Sequence, residues 1–231
     1  MKAFKYLQAI LVLPALALLL GAGSANAITL GFGNISANNV GDAAIGEAQL
    51  TVEVTDLGGG QALFTFNNAG PDASSIADVY FDDGTLLGIA SIDNSDAGVS
   101  FSQNATPGNL PAANNASPPF VTSQDFSADS DNPVQPNGVN PGESLGITFN
   151  LLAGVTFADT LAALEQGGGV GGLRIGIHVQ GFASGGSESF VNNPPSVPPP
   201  PPPTGIPEPG VLSLVGFSLL GMLVARRRRT S

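Results

Sequence analysis

Through most of the middle of the chain, apolar and polar residues alternate one for one, the pattern of strands with one buried face. Leu50, Val52 and Val54 alternate with Thr51, Glu53 and Thr55. After Gly58-Gly59-Gly60, residues Ala62, Phe64 and Phe66 fall on one side and Leu63 and Thr65 on the other, until Asn67-Asn68 closes the run. These two runs predict a hairpin. Further apolar segments cover residues 76–81, ended by Asp82-Asp83-Gly84, and 86–92, ended by Asp93-Asn94, with a short one at Val99 and Phe101. Leu145, Ile147, Phe149 and Leu151 alternate with Gly146, Thr148 and Asn150. Leu173, Ile175, Ile177 and Val179 alternate with Arg174, Gly176, His178 and Gln180, which puts His178 on a solvated polar face.

One segment has the helical period instead. Phe157, Leu161 and Leu164 share a face, Thr156 can cap the start and Gly167 can stop the end. Residues 104–140 carry scattered Pro, Asn, Asp and Ser, and predict a long ordered loop with one short strand over 120–126. The expected fold is all-β: an antiparallel β-sandwich, jelly-roll or Ig-like, with one short helix. Thirteen Phe supply its core in the absence of Trp.

The two ends follow other rules. Lys2 and Lys5 precede an apolar run over residues 7–20, and Ala25-Asn26-Ala27 supplies small residues at both positions a signal peptidase reads. Residues 1–27 therefore predict a signal peptide, a short helix removed on export, and a mature start at Ile28. At the other end, Pro207-Glu208-Pro209 is followed by sixteen uncharged residues, 210–225, and by Arg226, Arg227, Arg228 and Arg229. That run reaches about 24 Å as a helix, slightly short for a bilayer, and arginine stems can snorkel across the deficit. The arginines should hold the end in the cytoplasm. Between the domain, 28–193, and this tail lies a proline-rich spacer, 194–205, whose ten residues 194–203 extend roughly 31 Å as polyproline.

Taken together, motif, span and basic end resemble the PEP-CTERM sorting signal of Gram-negative bacteria, over residues 206–231. The same tail is also labelled the C-terminal domain of some ice-binding proteins, a label that concerns sorting. The resemblance implies recognition by an exosortase at Pro207, Glu208 and Pro209. It also implies transient residence in the inner membrane, and delivery to the cell surface or extracellular matrix. Ile206 and Gly210 depart from the residues usual beside the motif. The middle domain is similar to uncharacterised exported domains that carry this tail, and no activity transfers from them.

Charge sharpens the picture. Six of the seven basic residues lie in the two terminal signals, and residues 28–205 hold 17 acids against Arg174 alone. Such a domain repels nucleic acid and anionic lipid, which leaves cations, neutral sugars and basic proteins as partners, or acidity that simply keeps an exported protein soluble. With no Cys, disulfides and thiolate metal sites are excluded.

Candidate chemistry is sparse. Gly142-Glu143-Ser144-Leu145-Gly146 has the G-x-S-x-G form, with Asp159 and His178 following in hydrolase order, but Ser144 opens a strand and the intervals are too short for βα units. Gly167, Gly169 and Gly172 follow a helix and precede a strand, the reverse of a dinucleotide site. The acidic loops Asp82-Asp83, Asp93-Asn94-Ser95-Asp96 and the set Asp125, Asp129 and Asp131 read first as turn formers. Weak calcium binding is the second reading, with the last set the best placed. Paired carboxylates could serve a glycosidase, but nothing in the sequence fixes their separation. No catalytic residue and no cofactor other than that calcium is expected. The expectation for function is an exported, exosortase-sorted surface or biofilm-matrix protein whose β-domain is structural or adhesive and not an enzyme. The alternative is a carbohydrate-binding module, calcium-assisted or not, whose partner is extracellular polysaccharide.

Overall fold

The computed structural model describes residues 27–83 and 86–194. Among them ten strands form one antiparallel sheet in the order β5-β8-β3-β2-β1-β10-β9-β4-β7-β6. The strands are β1 (Ala27–Asn34), β2 (Leu50–Gly58), β3 (Gln61–Asn68), β4 (Ser75–Asp83) and β5 (Leu86–Asp93). They continue with β6 (Phe101–Gln103), β7 (Ser127–Ser130), β8 (Ser144–Leu151), β9 (Leu173–Gln180) and β10 (Glu188–Asn192). The first strand is the pivot. Its first half pairs with β2, Ile28 opposite Val54, and its second half with β10, Phe32 opposite Asn192. The sheet turns at that point, and its outermost strands β5 and β6 come back into contact, so the barrel nearly closes.

The alternation does what it predicts. Leu50, Val52, Val54, Ala62, Phe64, Phe66, Leu145, Ile147 and Phe149 are wholly buried on one face, and β2 and β3 form the expected hairpin. Phe81 of β4 meets Phe64 and Phe149 from the other half of the sheet edge-on, with ring centres 5.2 and 4.6 Å apart. Each such pair adds about 0.5–1.5 kcal/mol beyond its burial.

The expected helix is present as α3 (Phe157–Gln166), with a capping box between Thr156 and Asp159 and Gly167 in a positive-φ conformation at its end. It is not the single helix expected. A second, α1 (Val40–Gln49), follows β1, capped by the Asn39 side chain on the Gly41 and Asp42 N–H groups. A short α2 (Val134–Asn137) and a 3-10 turn (Ala113–Asn115) also interrupt the region expected to be loop. Sequence pattern hides α1 because Gly41 and Gly46 each cost about 1 kcal/mol of helix propensity. Packing requires the second of them: a Cβ on Gly46 would sit 2.2 Å from the Phe190 ring. The strand expected over 120–126 lies instead at β7, which puts Ala128 in the core while Phe120 packs on the opposite side of the sheet.

Buried amides fasten the crossing from β3 to β4. The Gln49 amide donates to Asn68 Oδ1, Asp72 O and Ser74 Oγ, and the Asn68 amide donates to Ser74 and to Val139 O. Among the described residues no helix is long and apolar enough to cross a membrane. The expected signal helix, the span over 210–225, the proline spacer beyond Pro194, the sorting motif and the arginine end lie outside the described residues.

Candidate functional site

The residues singled out for hydrolase chemistry are each held by a different neighbour. The Ser144 N–H and hydroxyl both donate to Asp96 Oδ2 at 2.8 Å. Asp159 belongs to the helix cap and accepts from Thr156. His178 Nδ1 lies 2.8 Å from Asp78 Oδ2. The glycines Gly167, Gly169 and Gly172 form a turn closed on itself, in which a Cβ on Gly172 would strike Gly167 O.

His178 is not on a solvated face. Its side chain retains only 13% exposure, because the outer side of this half of the sheet carries a second apolar layer. Tyr80, Ala105, Leu110, Ala113 and Phe120 cluster there. Gly176 allows it: a Cβ at that position would come within 2.7 Å of Leu110. Arg174 pins the layer in place. Its guanidinium donates to Asp82 Oδ2, to Pro118 O at 2.6 Å and to Pro119 O at 2.8 Å, and lies 5.2 Å over the Phe120 ring.

Beside that layer a polar row crosses four strands: Ser102, Asp129, Asp78 and His178 stand opposite one another on β6, β7, β4 and β9. Burial, a hydrogen bond with Asp78 and the charge of Asp78 push the Asp129 carboxyl up to about 6. Burial, then the charges of Asp78 and Asp129, also push the Tyr80 phenol up; its hydroxyl donates to Pro107 O. Two carboxyls in hydrogen-bond contact leave no room for a sugar ring between them, whereas glycosidase pairs stand about 5–9 Å apart.

The calcium candidates are occupied in other ways. Asp131 accepts from the Ser100 and Ser102 hydroxyls, which hold it below the usual carboxylate range. Asp129 accepts from Thr106 N–H, and Asp125, at φ 62°, uses its carbonyl to receive the Gln103 amide. Asp93 and Asn94 receive the N–H groups of Ser95 and Phe101, as turn formers do. Among the described residues no group of three or more His, Asp or Glu is arranged to hold a metal ion.

What the sequence did not single out is an open groove of about 450 Å³, between the ends of β1 and β10, the C-terminal end of α3 and the turn at 113–118. Amide side chains dominate its polar wall: Asn34, Asn115, Gln166, Asn192 and Asn193. Asn34 helps bind the buried Glu188, which also accepts from the Ser36 hydroxyl and the Asn38 and Asn39 N–H groups. Burial pushes Glu188 up, but these donors together outweigh it and hold its carboxyl below the ordinary value. The groove's residues come from four distant segments, so no local motif announces them. The nearest hint is Gln166 standing before the glycine run.

Fold and groove together define a class: an antiparallel β domain, nearly closed into a barrel, with an amide-lined surface groove. No protein-family model, curated protein or solved structure matches the chain.

Proposed function

We propose that the chain is an exported, exosortase-sorted protein of the cell surface or biofilm matrix, whose β-domain is structural or adhesive and not an enzyme. In this reading the two halves of the nearly closed sheet act as the faces of a sandwich, between which Phe64, Phe81 and Phe149 pack edge-on. The observation that carries the reading is where the domain joins its ends. Ile28, the mature start read from Ala25 and Ala27, lies within β1 and is paired with Val54. At the other end Asn193, the residue before the spacer, donates its N–H to Gly31 O of β1. Removal of a signal peptide after Ala27 would therefore cost the fold only the Ala27–Thr55 pair at the start of β1. A spacer leaving from Pro194 would hang from β10, a strand flanked on both sides. Residues 206–231 would supply sorting, with Pro207, Glu208 and Pro209 as the motif and Arg226 to Arg229 as the cytoplasmic stop.

The test is the intact mass of protein recovered from the surface of exosortase-bearing cells that express the full chain. A product that starts at Ile28 and ends near Pro207 to Pro209 supports the reading. A surface product that retains Ser231 would falsify it.

A further inference from the structure

We infer that the groove beside β10 binds an uncharged glycan. This deepens, and rests on, the reading of the domain as a matrix component. The inference comes from what the wall offers and what it lacks. Asn193 is fixed through its backbone to Gly31, and its amide lies across Gly31 and Gly33 of β1. A Cβ on Gly33 would come 3.0 Å from Asn193 Oδ1, so the missing side chain makes the space this amide uses. The Asn193 amide and the Ser117 hydroxyl make no hydrogen bond within the described residues. Asn115 spends its Nδ2 on Ile35 O and Gln166 its Nε2 on Val170 O, which leaves both amide oxygens free while the bonded ends hold them still. The wall therefore presents fixed acceptors beside groups that both donate and accept, which suits hydroxyls, since each hydroxyl does both. The partly exposed Ile35 and Val191 add an apolar surface for the C–H faces of a sugar ring.

Charge narrows the ligand. No carboxylate lines the groove, so a cation has nothing to meet there. Arg174 does line it, but four of its five N–H groups are bonded, to Asp82, Pro118 and Pro119, and its charge is paired with Asp82. An anion would find no free cation and would approach a domain with 17 acids. A groove of this size lies within the usual range for small-ligand sites, roughly 300–1,000 Å³.

The experiment uses the full chain in mild detergent, so it does not depend on sorting. Dextran and mannan are the neutral probes, polygalacturonate the anionic one and a casein digest the peptide one. The expected result is saturable binding of a neutral glycan, weakened about tenfold, or about 1.4 kcal/mol, in Asn193→Ala and in Ser117→Ala. Both variants should melt with the parent, because neither side chain bonds internally. Glu53→Gln, on β2, should bind like the parent. Binding of neither neutral glycan, equal affinity in the groove variants, or a preference for polygalacturonate or peptide overturns the inference. A chain that binds yet stays in the inner membrane keeps the groove and sinks the sorting. One that is sorted yet binds nothing does the reverse.

Discussion

Replacing Arg174 with Met should unfasten the outer apolar layer while leaving the barrel core intact. The guanidinium side chain is 8% exposed and its partner Asp82 25%. Removing one member of a buried pair costs about 3–5 kcal/mol, because the other is left as an uncompensated charge. Asp82 can regain some water, which favours the low end, and Pro118 and Pro119 are exposed enough for their carbonyls to do the same. The contact over Phe120 adds about 1 kcal/mol, and the Met stem recovers part of the apolar burial. The net loss is about 3 kcal/mol, or a fall in Tm of roughly 6–12 °C at about 2–4 °C per kcal/mol for a domain of this size. Urea and thermal unfolding measure it, and limited proteolysis should show new cuts within 104–122. Adding Asp82→Asn should restore part of the loss, because it removes the orphaned charge. A single variant that melts within about 3 °C of the parent, or a double variant worse than the sum of the singles, would refute the reasoning.

Gly46→Ala should destabilise despite a helix-propensity gain of about 1 kcal/mol, since overpacking against Phe190 costs about 1–3 kcal/mol; urea unfolding gives the sign. Glu188 has a folded pKa below its unfolded one, so its contribution is present above the ordinary glutamate range and is lost as pH falls through the depressed value. Glu188→Gln should therefore flatten the acid limb of the stability curve. Asp129 has the opposite sign: with its folded value near 6 and its unfolded value near 3.8, stability is fullest below 3.8 and declines as pH rises through 6. Asp129→Asn should abolish that decline, and carboxyl NMR of the parent should show a midpoint near 6. Adding salt should raise Tm, since screening relieves repulsion among the 17 acids and the one Arg pair at stake is largely buried; a fall in Tm would contradict this.

Most of the barrel was legible because its strands obey the simple rule of one buried face. Leu145, Ile147 and Phe149 behave as their spacing says, and Thr156 and Gly167 bound α3 as their chemistry says. The rule fails where both faces are covered. In β9 the residues Leu173, Arg174, Ile175, Gly176 and Ile177 are all buried, although the sequence alternates. A reader of the sequence sees Arg174, Gly176 and His178 as a polar face, because Leu110 and Phe120, which cover it, lie more than fifty residues away in a stretch that reads as loop. Helix α1 was hidden for a related reason: Gly46 is a concession to Phe190 from β10, and local propensity counts it only as a defect. The groove was illegible throughout, since Asn115, Gln166 and Asn193 meet only after the sheet has turned at β1.

The acidic composition and the wealth of Ser and Asn are one feature. A domain with 17 acids and Arg174 as its one formal cation, already paired with Asp82, must satisfy the other carboxylates by other means. It does so with hydroxyls and N–H groups: Ser184 on Asp42, Ser144 on Asp96, Ser100 and Ser102 on Asp131, Thr156 on Asp159, and Ser36, Asn34 and two backbone N–H groups on Glu188. Such charge-assisted bonds to neutral donors are short-ranged, and unlike exposed ion pairs they have no opposite charge to be screened away. At Asp131, Asp159 and Glu188 they hold the carboxyl below its usual range, so the surface stays acidic and repels like-charged material, and salt relieves the repulsion among the acids without loosening these bonds. That combination would suit the proposed display outside the cell, where salt is not controlled. The amide-lined groove, with no carboxylate in its lining, is then a place where an uncharged partner can approach.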